Sequence, residues 1–143
     1  MNRYMNILVA VGLNQNEDEQ LLRKALDLSK GYKAKLNLVH VISPIYNYGM
    51  SSPEIFDCVE KHEAYARKRV AGLGTIYEIP RDSQFVKVGA IKKVIVDLVE
   101  IVEADLLIMG NHKRHGINGL FFDNNTVNLV KNTGCDMLAV RVA

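Results

Sequence analysis

The densest group of chemically versatile side chains lies in MGNHKRHGINGLFFDNN, Met109 to Asn125, where an apolar run gives way to a loop. Gly110, Gly116 and Gly119 punctuate it, around the cluster Asn111-His112-Lys113-Arg114-His115. Glycines let a backbone approach an oxyanion closely, and amides, lysine and arginine donate hydrogen bonds to it. The stretch therefore has the outline of a phosphate or sulfate site, set against the plainer reading of a solvated loop. His112 and His115 with Asp123 would bind a metal only with a fourth ligand that the sequence does not offer, so none is expected. Cys58 and His62 stand four apart on a helical stretch and share a face. Nothing orients that imidazole, and a helix–sheet contact accounts for both residues. No G-x-S-x-G, H-E-x-x-H or Lys-Ser/Thr P-loop ending occurs, so no catalytic residue is assigned.

The elements that must position these side chains are legible in the hydrophobic pattern. Met5–Val11 is a short continuous apolar run, which suits a strand covered on both faces. A helix follows, with Leu21, Leu22, Ala25 and Leu28 on one face, Glu17, Asp18 and Glu19 at its dipole-favoured start, and Gly31 as its close. Ala34–Ile42 is the second strand. Ser52 and Pro53 then cap and start a helix whose apolar face uses Ile55, Val59, Ala66, Val70 and Leu73. Ser83–Val88 is the third strand, and Gly89 leads into a helix with Ile91, Val94, Ile95, Leu98 and Val102 inward. Asp105–Gly110 is the fourth strand, a helix is expected from about Asn124 to Asn132, and Asp136–Val142 is the fifth strand. Strand and helix alternate throughout, so the expected class is α/β, a mostly parallel sheet with helices on both faces.

A chain of 143 residues suits one domain, residues 1–143. A net charge of +2 with scattered basic residues gives no ground for nucleic acid. The apolar run Ile7–Val11 is shorter than the roughly 20 residues of a membrane helix or the about 7–15 of a signal peptide. The expectation is a cytoplasmic protein without membrane attachment. Cys58 and Cys135 form no C-x-x-C and read as small buried hydrophobes. In open α/β sheets ligands bind beyond the carboxyl ends of the strands, which singles out the loops Gly12–Asn16, Ile42–Met50 and Gly110–Asp123.

Taken together, NILVAVGLNQNEDEQLLRKALDLSK, AKLNLVHVI, ADLLIMGNH and the ending VNLVKNTGCDMLAVRV resemble the universal stress protein family over nearly the whole chain. The resemblance implies a single-domain Rossmann-like sandwich, a five-stranded parallel sheet of order 3-2-1-4-5, and a homodimer. One branch of that family binds ATP and carries an Asp after the first strand, with G-x2-G-x9-G-(S/T) after the fourth. Gly110 matches the first glycine here, but the remaining places hold Lys113, Asp123 and Asn124, and Gly12 stands where the Asp belongs. Gly116 and Gly119 fall inside the spacer. A carboxylate at Asp123 would repel phosphate by about 1 kcal/mol or more if partly shielded from water.

The resemblance is therefore to the A-type branch, which lacks the ATP marks. The expectation is a stress-response homodimer that binds or signals without nucleotide turnover, with no cofactor and no enzymatic activity. The alternative is an ATP-binding member with a degenerate loop, and a flavin-binding domain is a third, disfavoured by the poor cradle GLNQNED. Were a nucleotide or anion to bind, Gly12, Val41, Gly110, Asn111, His112, Lys113, Arg114 and Asn124 would meet it. The dimer would form through the final strand, Met137 to Val142, which as a sheet edge would expose unpaired amides. Met137, Ala139 and Arg141 should face one way there, and Leu138, Val140 and Val142 the other.

Overall fold

The computed structural model describes residues 3–43, 52–111 and 131–142, the side chains of residues 52–58 and 132 excepted. The order is β1 (Asn6–Ala10), α1 (Gln15–Tyr32), β2 (Lys35–Ile42), α2 (Ser52–Ile76), β3 (Gln84–Val88), α3 (Ile91–Ile101), β4 (Leu106–Asn111) and β5 (Asp136–Arg141). All five strands are parallel, in the order β3-β2-β1-β4-β5. The chain walks outward from β1 to β3 and then returns to the other side of β1. Right-handed crossovers therefore place α1 and α2 on one face and α3 on the other.

Each face has its own core. Ile7, Val9 and Val11 of the first strand pack with Leu36, Leu38, Leu106 and Ile108 under Leu21, Leu22 and Ala25 of α1 and Ala66 and Val70 of α2. Leu8, Ala10, Val39, Val41, Leu107 and Met109 pack under Ile95, Leu98 and Val99 of α3. Alternation on a pleated strand sends successive side chains to opposite layers, so a continuous apolar run is what a doubly covered strand requires. Cys135 lies buried in the α3 layer, and burial pushes its thiol up to about 12. Cys58 lies outside the described side chains.

One local reading changes. Helix α1 runs past Gly31 to Tyr32, and the residue that turns left-handed is Lys33, at φ 55°. The Lys33 amide returns to Lys30 and the Ala34 amide to Ser29, so bonds to the last carbonyls hold a conformation that glycine alone would adopt freely. Asp18 is a first-turn acid of α1, as expected, and it is also buried, 2% exposed on the inward face of the helix. The helix expected from about Asn124 lies mostly outside the described residues, and its end is a 3-10 turn, Lys131–Thr133. Gly134 follows at φ 77°.

The amino ends of the strands are tied together by polar groups. The Asp105 carboxylate accepts the amides of Met5 at 2.8 Å and Asn6 at 3.1 Å, and the Tyr4 hydroxyl donates to Asp136 at 2.7 Å. That bond to a carboxylate, then burial, raises the Tyr4 phenol to about 12. Among the described residues, strand β5 forms one edge of the sheet, paired with β4 from Leu106↔Asp136 to Asn111↔Arg141. Leu138, Val140 and Val142 join the α1/α2 layer and Met137 the α3 layer, as the alternation anticipated.

Candidate functional site

The strand order reverses between β1 and β4, and in open α/β sheets it is beyond the carboxyl ends at such a reversal that a ligand crevice lies. Val9 pairs with Ile108, so the two strands leave the sheet side by side. Gly12 follows β1 on one rim, and Gly110 and Asn111 close β4 on the other. Gly110 is buried, while Gly12 and Asn111 are exposed. Val41 does not join them as a surface contact, since its side chain is 5% exposed and packs in the α3 layer. His112, Lys113, Arg114 and Asn124, like His115 and Asp123, lie outside the described residues.

Gly12 is not there for lack of room. Among the described residues, a Cβ built on it meets no atom within 4 Å, and its φ is not left-handed. A carboxylate at this position would project into open space at the crevice. The strained residue is the next one, Leu13, at φ 63°, whose side chain packs against the α1/α2 core. Asn14 then caps α1, its Oδ1 accepting the Glu17 amide at 3.4 Å and its carbonyl accepting the Asp18 amide at 2.8 Å.

Two polar residues to which the sequence assigned no role at the site, His40 and Asp18, lie next to this loop. The His40 Nδ1 lies 2.8 Å from the Val11 carbonyl, which can only accept, so Nδ1 carries the proton and Nε2 is left as an acceptor. Burial holds the His40 imidazole below its ordinary range, and neighbouring His62 adds to that, while the Val11 bond opposes it. The Asp18 carboxylate is pushed up to about 6 by burial, against the opposing pull of Arg69 and of the Asn14 and Gly12 amides. Among the described residues its Oδ2 has no hydrogen-bond partner. The signal for Asp18 was present in the spacing, because residues 18, 21, 22, 25 and 29 share one helical stripe. His40 had no such signal, being, like Asn37, a polar residue within a mostly apolar strand.

Comparison with known proteins adds what the geometry alone does not name. The model of the universal stress protein family matches residues 3–141. The chain is 33% identical to universal stress protein A homolog 2 of Coxiella burnetii over 99% of this chain and 98% of that one. Its fold is similar to that of the universal stress protein UspA from Lactobacillus plantarum, with a TM-score of 0.74 at 18% identity, covering 99% and 100% of the two chains. A family protein from Arabidopsis thaliana with AMP bound has a TM-score of 0.59 at 19% identity, covering 97% and 92%.

Proposed function

The chain belongs to the universal stress protein family, and on that premise we propose that it is a stress-response protein of the A-type branch. It works in the cytoplasm as a homodimer, by binding or signalling, and turns over no nucleotide. The observation that carries this reading is Gly12. At the rim of the β1–β4 crevice, where a carboxylate would have open space, the chain supplies no side chain at all. Lys113, Asp123 and Asn124 in the places of the ATP motif support the same reading. The dimer is supported by β5, an edge strand with Met137, Leu138 and Ala139 half-buried. Antiparallel pairing with a second copy would satisfy its outward amides.

A second reading, an ATP-binding member with a degenerate phosphate loop, is favoured by the AMP bound to the Arabidopsis protein of similar fold. Titration of magnesium ATP, followed by heat and by melting temperature, separates the two. Micromolar binding overturns the first reading, since ligand at a hundred times its dissociation constant adds about 2.7 kcal/mol of stability. An unchanged melting temperature at millimolar ATP removes the second. Sedimentation of the wild type and of Ala139→Lys tests the dimer. A dimer that becomes monomeric with lysine on the edge supports it, and a wild-type monomer refutes it.

A further inference from the structure

The open edge of β5 has a fixed order of backbone donors and acceptors. The Asp136 amide donates to the Asp105 carbonyl at 3.0 Å, and the Val142 amide to the Asn111 carbonyl at 3.5 Å. Together with the register Leu106↔Asp136 to Asn111↔Arg141, these bonds set the direction of every peptide group in the strand. Successive residues of a pleated strand turn their N–H and C=O to opposite edges. Asp136, Leu138, Val140 and Val142 therefore face β4, while Met137, Ala139 and Arg141 present theirs at the open edge among the described residues. The side chains of those three leave on the α3 face. There Met137 packs against the core, Ala139 is half-buried and Arg141 is exposed.

We infer that a second copy seats on this edge in one register, with Ala139 on the two-fold axis opposite itself and Met137 opposite the partner's Arg141. The inference rests on the dimer proposed above and names its seam. In an antiparallel pair, residues that exchange both backbone bonds stand opposite one another, so each outward residue needs an outward residue across from it. With Ala139 on the axis, Met137, Ala139 and Arg141 of both copies all find one within β5. On the α3 face two small side chains meet at the centre, and each Arg141 lays its aliphatic stem along the partner's Met137. On the other face half-buried Leu138 lies across from the partner's Val140, an apolar cross-strand pair. The neighbouring registers do less. An axis through Leu138 or Val140 sets Arg141 or Met137 against residues outside β5, and an axis through Met137 does so to both Ala139 and Arg141. An axis through Arg141 places two like charges directly opposite, which destabilises the pair.

The test is oxidative cross-linking of Met137→Cys, Ala139→Cys and Arg141→Cys, with the wild type as the control for any link through Cys58 or Cys135. Across a hydrogen-bonded pair the Cα atoms stand about 5.5 Å apart, within disulfide reach. Ala139→Cys should therefore form a covalent dimer by itself. Met137→Cys and Arg141→Cys should each fail alone, because at about 3.4 Å per residue their like positions lie about 14 Å apart. Refolded together, those two should link to each other. A sedimenting dimer in which either of them links alone, or in which Ala139→Cys does not, overturns the register and leaves the dimer standing. A wild-type monomer overturns both. Should Ala139→Cys not fold, the mixed pair decides. A link between the Met137→Cys and Arg141→Cys chains supports the register, and no link in a sedimenting dimer refutes it.

Discussion

Replacing Asp18 by Asn should make the protein more stable, and by an amount that depends on pH. The unfolded chain ionises Asp18 at its ordinary 3.8, whereas burial raises the folded carboxyl to about 6. Below 3.8 both states hold the proton, and the folded state bears no penalty from this group. Between 3.8 and 6 the unfolded chain loses its proton first, so stability falls as pH rises. Above 6 both states are ionised and the penalty is constant. Its full size is about 3 kcal/mol, from about 1.4 kcal/mol for each pH unit between the two values. Asparagine matches the shape and never ionises, so the variant should equal the wild type near pH 4 and exceed it by up to about 3 kcal/mol at pH 7. For a chain of this length that is a rise in melting temperature of about 9 °C. Urea unfolding at pH 4, 5, 6 and 7 measures the gap directly. A gap of the same size at pH 4 and pH 7 refutes the reasoning. So does a destabilised variant at pH 7, which would mean that Arg69 and the loop amides outweigh burial.

Gly12→Asp should fold with stability within about 0.5 kcal/mol of the wild type, because its side chain enters open space; thermal melting checks this. Native Cys135 should resist thiol reagents at pH 8 and react only on unfolding, since its buried thiol titrates at about 12; mass spectrometry of the labelled peptide reads it out. Tyr4→Phe should lose about 1 kcal/mol with the bond to Asp136, measured by urea denaturation at neutral pH. Leu22→Ala, at a fully buried position of the α1 layer, should lose about 2–5 kcal/mol in the same assay.

The fold was written into the sequence because the three inner strands, β2, β1 and β4, are buried on both faces. A run such as NILVA admits few other readings when helical periods of 3.6 follow it, and α1 shows its inward stripe in Leu21, Leu22 and Ala25. The position of the crevice followed from topology alone, so Gly12 and Gly110 were found from the chain order. Three things were hidden. Asp18 is the first-turn acid its position implies, but its register with Leu21 and Leu22 also buries it, which residue type alone does not show. Val41 was grouped with the rim, yet the pleat turns its side chain into the α3 layer. The helix end was placed at Gly31 on residue type, whereas the bonds returning to Ser29 and Lys30 hold Lys33 in the turn instead.

The central place of β1 has a consequence for the order of synthesis. The strand emerges early from the ribosome, and its pairing with β2 can follow within tens of residues. Its other edge waits for Leu106–Ile108 of β4, and the amides of Met5 and Asn6 wait for Asp105. At roughly 5–20 residues per second, the hundred or so residues between them take about 5–20 s to appear. Throughout that interval Ile7, Leu8 and Val9 present an apolar strand with one row of amides unmatched. The nascent chain is thus most prone to misassociate at the strand that later becomes its best-protected element.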